Sequence, residues 1–298
     1  MAELTGTKIA NRFMLFLLTF NVLWQMTFGA LLSSVIPMPW FLIVVQLIGL
    51  ILPLGIFIAI SPRTHKKFEY HPLGLINILL ICVLSLLLQP VMMLFSAVAS
   101  LFMPNPVTGL MGNLAEFPFV LSLVIVAVTP AICEELVFRG FIQSKYEGQP
   151  MHIIAVANGL FFGIIHMNLH QFPYAFVMGI VFAYMVYFTR NILSAVLSHF
   201  IINASQFSLG HMAAQYIYNY GAIYEEVAEA DLMIAIAAIG QLVFFILPLL
   251  VLFIYLFIRH NKSRGNVPEI SKTEWPPLPF DWEFFAVIGV FIVIVVVF

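Results

Sequence analysis

The chain alternates long apolar runs with short polar segments along almost its whole length. An α-helix needs roughly 20 apolar residues to cross the hydrocarbon core of a bilayer, and several runs approach that length. Because lipid offers no hydrogen-bond partners to backbone groups, such runs fold as helices. The pattern predicts an all-α polytopic bundle of eight or nine spans, at residues 13–36, 40–60, 73–102, 117–146, 151–170, 172–189, 192–208, 232–258 and 281–298.

The polar segments between these runs are too short to form a soluble domain. We therefore expect a single transmembrane domain over residues 1–298. Residues 259–280 contain four prolines and are predicted to form a stiff cytoplasmic linker. The short run at 281–298 is a candidate for the last span.

Composition agrees with a membrane protein, since only 9% of the residues are charged and 62% are hydrophobic, against about 25% charged in soluble domains. With the N-terminus in the cytoplasm, all 12 Lys and Arg fall on the cytoplasmic side or on the inner half of a span. The positive-inside rule therefore predicts this orientation. The net charge of −2 gives no indication of nucleic-acid binding.

The segment Cys133-Glu-Glu-Leu-Val-Phe-Arg-Gly140 places two acids and a base in the fourth predicted span. A charge at bilayer depth costs at least ~2.5–3.5 kcal/mol, so charged residues there usually have a function. Residues four apart share a helix face, which pairs Glu135 with Arg139 and leaves Glu134 available. Different surroundings for neighbouring acids are how separate acid and base roles arise.

Three more polar side chains lie on apolar spans that follow. His166 lies on the fifth predicted span, and His199 and Asn203 share a face of the seventh. At ~1.5 Å per residue, Glu134 lies roughly 17 Å, His166 roughly 22 Å, and the other two roughly 10–17 Å above the cytoplasmic helix ends. The similar depths predict one shared cavity, which we expect to open toward the cytoplasm.

Small residues recur every four positions along the fifth predicted span, at Ala155, Gly159 and Gly163. Such faces let helices approach closely in lipid. Two interpretations of this face are equally good: it brings the helix of His166 against the helix of Glu134, or it serves close packing in general.

Taken in order, Glu-Glu-x-x-x-Arg, Phe-x-x-x-His and His-x-x-x-Asn on successive spans resemble the CPBP family of intramembrane proteases. This family is also called the Abi or CAAX amino-terminal protease family, and it includes Rce1-like endopeptidases. The resemblance covers residues 117–208, the predicted catalytic core, with 32 residues from Glu134 to His166 and 33 from His166 to His199.

The resemblance implies a role for each of these residues. Glu134 matches the general base that activates a water, and His166 matches the residue that helps to hold it. His199 and Asn203 match the pair that stabilises the oxyanion, with Glu135 and Arg139 supporting the site. The family pattern implies no cofactor, although Glu134, His166 and His199 are also a donor set of the kind that binds zinc.

These observations favour an integral-membrane endopeptidase that hydrolyses a membrane-associated peptide or protein. Its expected location is a bacterial plasma membrane. Its predicted partners are this substrate and the lipid bilayer, and no nucleic-acid partner is predicted. Three alternatives remain open: a catalytically silent bacteriocin-immunity or peptide-binding protein, a zinc-dependent membrane protease, and a proton-coupled transporter. No pair of broken helices or duplicated half in the sequence supports transport.

Overall fold

The computed structural model describes residues 5–60, 71–114, 117–220, 229–266 and 278–297. Within these ranges the fold is all-α, as predicted, with ten helices and no β-strand. In chain order the helices are α1 (6–35), α2 (Trp40–Ile60), α3 (Leu75–Ala99), α4 (Pro106–Leu114), α5 (Phe119–Lys145), α6 (Met151–Ile165), α7 (Phe172–Thr189), α8 (Leu193–Tyr220), α9 (Glu229–Ser263) and α10 (Trp282–Val297).

Five of these helices, α2, α3, α5, α7 and α9, are long and apolar enough to cross a membrane. Several bounds differ from the sequence prediction. The fifth predicted span was too long, since α6 ends at Ile165, and α8 continues well past residue 208. The predicted linker is helical as far as Ser263, and its residues 267–277 lie outside the described part of the chain.

Helix α5 contains two π-helical segments, Val124–Val128 and Leu136–Ile142, which lie on either side of the two glutamates. Pro130 follows the first segment. Because proline has no N–H, it interrupts the regular hydrogen bonding, and a wider turn accommodates the interruption. Single π-helical turns occur often at functional sites.

Helices α6 and α7 pack closely because glycines face each other. A Cβ added at Gly179 would lie 2.6 Å from the Cα of Gly159, and one added at Gly159 would lie 2.7 Å from the carbonyl oxygen of Phe176. The small-residue face of α6 thus packs against α7. Of the two interpretations, close packing in general is the one that these contacts support, because the glycines meet α7 and not the helix of Glu134.

Helix α10 lies along α1 and is held by polar contacts. The Nε of Arg12 lies 2.7 Å from Oε1 of the fully buried Glu283, and the Asn11 amide donates to the carbonyl of Pro279 at 2.8 Å. The last apolar run is therefore a helix that packs in the bundle. With 16 residues it is about 24 Å long, somewhat less than the ~30 Å of a typical hydrocarbon core.

We predict that Gly159→Ala lowers the thermal stability of the purified protein, because its methyl group would press on the α7 backbone. Overpacking of this kind typically costs ~1–3 kcal/mol. Gly55→Ala is the matched control, since a Cβ there meets nothing within 4 Å. Equal melting temperatures for the two variants in detergent would contradict the close α6–α7 contact.

Candidate active site

Glu134 and Glu135 lie in the short α-helical stretch of α5 between its two π-helical segments. Both side chains are buried, with Glu135 inaccessible to solvent and Glu134 only 8% exposed. Two adjacent carboxylates in an apolar bundle need neutralising partners. The structure gives the two acids different partners.

The ion pair expected from helix spacing is present. The guanidinium of Arg139 lies 3.1 Å from the carboxylate of Glu135, and both side chains are fully buried. Its second nitrogen donates to the carbonyl of Gly179 on α7 at 3.0 Å, and the group lies 4.7 Å from the centre of the Phe162 ring. Arg139 therefore neutralises Glu135 and ties α5 to α7.

Glu135 has a second partner that the sequence did not predict. Its Oε1 lies 2.8 Å from Nδ1 of His199 on α8. An ionised carboxylate can only accept a hydrogen bond, so Nδ1 carries the proton and Nε2 points away. That Nε2 atom lies 4.0 Å from Oε2 of Glu134. Glu135 thus orients the imidazole, and His199 lies between the two acids.

Glu134 has far fewer contacts than its neighbour. Its Oε1 accepts a long hydrogen bond of 3.5 Å from the amide of Gln46 on α2. Its Oε2 is buried and has no hydrogen-bond partner within the described residues. One oxygen of Glu134 is therefore left free beside His199, as general-base chemistry requires.

His166 is the residue that ends α6. Its Nδ1 donates to the carbonyl of Phe162 at 2.7 Å, which leaves Nε2 for another partner. The Phe162 ring packs edge-on against both imidazoles, at 5.2 Å from His166 and 5.8 Å from His199. Phe162 therefore connects the two histidines through ring packing.

Asn203 lies one turn beyond His199 on α8, and its amide is already engaged. Nδ2 donates to the carbonyl of Val126 at 3.1 Å. That carbonyl lies four residues before Pro130, which has no N–H to offer it. Asn203 thus replaces a missing backbone donor and keeps a second amide N–H, since Nδ2 carries two.

The structure therefore places Glu134, Glu135, Arg139 and His199 in one contiguous cluster. His166 joins it through Phe162, and Asn203 contacts α5 at Val126. Across the described ranges, no group of three or more His, Cys, Asp or Glu side chains is arranged to hold a metal ion. The zinc set considered from the sequence, Glu134 with both histidines, is thus not arranged as a metal site.

The family resemblance can be compared directly with this geometry. A family model described as Type II CAAX prenyl endopeptidase Rce1-like matches residues 116–205. The Rce1-like resemblance is confirmed for this segment. It contains every side chain of the cluster except Gln46. Searches of curated proteins and of solved structures gave no significant match.

The Rce1-like segment occupies α5 to α8, and the apolar helices on both sides of it make this an integral membrane protein. Because the family is one of proteases, the match supports a CAAX-protease type of intramembrane peptidase. It does not identify the substrate or the residues that act on it.

We predict that Arg139→Met or Glu135→Gln lowers the yield of folded protein, because each leaves a buried charge without its partner. Such losses typically cost ~3–5 kcal/mol. Folded yield and melting temperature in detergent are the measurements.

The double variant Glu135→Gln/Arg139→Met should recover much of this loss, since it removes both charges together. Glu134→Gln is the control and should lose less folded protein than either single variant, because Glu134 is not bonded to Arg139 and lies only within 4.0 Å of His199. Equal yields for all four variants would contradict the division of roles between the two acids.

Proposed function

We propose that the protein is an intramembrane endopeptidase that hydrolyses a peptide bond with a water activated by Glu134. The proposal rests on one observation, which is that the two acids have different partners. Glu135 is neutralised by Arg139 and bonded to His199, whereas Glu134 keeps one buried, unpartnered oxygen 4.0 Å from the imidazole. In the proposed reaction a water bridges these two groups at an ordinary hydrogen-bond length of about 2.8 Å from each.

The reaction follows from the general-base role. Oε2 of Glu134 takes a proton from the water, and the oxygen of the water attacks the scissile carbonyl carbon. The carbonyl oxygen becomes an oxyanion as the tetrahedral intermediate forms. Glu134 then returns the proton to the amide nitrogen, the carbon–nitrogen bond breaks, and a new carboxyl and a new amine are released.

His199 stabilises the oxyanion through Nε2–H, because Nδ1–H is held by Glu135. Both nitrogens donate only in the imidazolium form. With His199 cationic, Glu134, Glu135, Arg139 and His199 carry two negative and two positive charges. A cluster with no net charge is the least costly one to hold in an apolar bundle.

His166 and Asn203 complete the proposed site. With Nδ1–H on the carbonyl of Phe162, the neutral His166 ring presents Nε2 as an acceptor that holds the water. The second amide N–H of Asn203 adds a donor for the oxyanion. Preorganised donors of this kind are usually the largest contribution to catalysis of acyl transfer.

The proposed substrate is a peptide or protein that is held at the membrane, and the proposed location is a bacterial plasma membrane. The proposed cleavage is at or near the cytoplasmic side, toward which the site is expected to open. No metal takes part in the proposed reaction. Bacteriocin immunity is a biological role that such a peptidase, or a silent relative of it, could serve.

We predict that cells producing the wild type, compared with cells producing Glu134→Gln, accumulate new peptide termini from membrane proteins, as detected by mass spectrometry. A synthetic peptide that spans such a site should be cut by the purified wild type. Glu134→Gln should show no cleavage, because no base remains. Peptide cleavage by Glu134→Gln at the wild-type rate, or no product with either protein, would overturn the proposal.

His199→Ala and Asn203→Ala should each slow the chemical step by about 10²- to 10³-fold, as loss of an oxyanion donor does. Because Asn203 also contacts Val126, the melting temperature separates its two roles. A lower melting temperature with unchanged kcat would assign Asn203 to structure alone.

Loss of activity on chelation, with Asn203→Ala milder than His166→Ala, would instead identify a zinc protease.

A further inference from the structure

Helix α2 lies outside the Rce1-like segment and is almost wholly apolar. Over Trp40–Ile60 the only side chain with a polar amide or charge is that of Gln46. A polar side chain on such a helix normally faces the bundle interior and has a partner there. The partner of Gln46 is Glu134.

The chemistry of the two side chains determines which of their atoms meet. Gln46 donates from Nε2 to Oε1 of Glu134 at 3.5 Å. An ionised carboxylate accepts and cannot donate, so the amide nitrogen must face it. This hydrogen bond occupies one oxygen of Glu134 and leaves Oε2, the oxygen beside His199, as the base.

The backbone around Gln46 is held by a second contact. A π-helical turn, Leu47–Ile51, begins immediately after Gln46. Within that turn the carbonyl of Gly49 accepts a hydrogen bond of 2.8 Å from the Asn21 amide of α1. A Cβ at Gly49 would lie 2.7 Å from Oδ1 of Asn21, so a larger residue would displace the Asn21 amide. The turn that presents Gln46 is therefore fixed by α1.

The oxygen of the Gln46 amide is also buried. Its Oε1 has no hydrogen-bond partner in the part of the chain that the structure describes, and neither does Oε2 of Glu134. Two buried acceptors on groups that contact each other can be satisfied together by a molecule with two O–H donors. Water is such a molecule, and it is the nucleophile of the proposed reaction.

We propose that Gln46 is a positioning residue for this hydrolysis, an inference that rests on the proposed function. Its amide N–H fixes Glu134 so that Oε2 takes one proton of the water. Its amide oxygen shares with Nε2 of His166 the hydrogen bond of the second proton, which stays on the attacking oxygen. A residue of α2 thereby completes a site otherwise built by α5, α6 and α8.

The test is Gln46→Met in the purified full-length protein, assayed on the synthetic peptide that spans the cellular cleavage site. Methionine keeps the length of the side chain and suits an apolar helix, so the melting temperature should not fall. Because the hydrogen bond that is lost is a long one, at 3.5 Å, kcat should fall about 10-fold. KM should stay within about twofold of the wild type, because Gln46 acts on the base and the water.

Gln143→Met is the matched control. Gln143 also donates one buried hydrogen bond, to the carbonyl of Ala183 at 3.0 Å, and its Oε1 also lacks a partner among the described residues. It lies nine residues from Glu134 on α5, about 13 Å along the helix. Its kcat should match that of the wild type.

A second readout needs no turnover. The infrared difference between wild type and Glu134→Gln isolates the carboxylate stretching band of Glu134, and this band should move in Gln46→Met and not in Gln143→Met. A normal kcat in Gln46→Met beside an active wild type overturns the inference and leaves the proposed function standing. If wild type and Glu134→Gln are both inactive, the proposed function fails, and an unmoved band overturns the inference as well.

Discussion

The burial of charge is the constraint on which the rest of this structure depends. Glu135 and Arg139 are removed from solvent in an apolar bundle, where an unpaired charge costs several kcal/mol. They are held by each other, by the carbonyl of Gly179 and by the imidazole of His199. The last two of these contacts join α5 to α7 and α8. The arrangement that neutralises Glu135 therefore also sets the position of the histidine beside Glu134.

Irregular backbone supplies the remaining geometry. Proline and π-helical turns alter the regular hydrogen bonding of a helix, and in lipid each affected carbonyl needs another donor. Asn203 donates to Val126 in the first π-helical segment of α5, and Asn21 donates to Gly49 in the π-helical turn of α2. Both contacts fix a turn that lies next to the candidate site. The contacts that satisfy the irregular backbone therefore also help to position the two acids.

Much of this could be predicted from the sequence, because the decisive signals are local. Apolar runs identified the helices, and the i, i+4 spacing identified the pair of Glu135 with Arg139. The bond from Glu135 to His199 crosses 64 residues, and that from Gln46 to Glu134 crosses 88. Periodicity gives the face of a helix but not the neighbour that the face meets. The same limit explains why the sequence left the partner of the glycine face of α6 open.

The sequence did contain one unused signal for Gln46, since a lone amide on an otherwise apolar span must find a buried partner. The sequence also did not show where each helix ends. His166 was predicted within a span, whereas the structure places it at the end of α6, where its Nδ1 bonds the last turn. Counting residues along a helix therefore does not give the direction of a side chain at the helix end.

The central claim is that Glu134 activates water and does not itself attack the peptide. A single turnover in H₂¹⁸O, followed by mass spectrometry of the product and of the enzyme peptide that contains Glu134, tests it most directly. Direct attack by water predicts one ¹⁸O in the new carboxyl terminus of the product and none in Glu134. Appearance of ¹⁸O in the Glu134 peptide, which requires an anhydride between enzyme and substrate, would contradict the account.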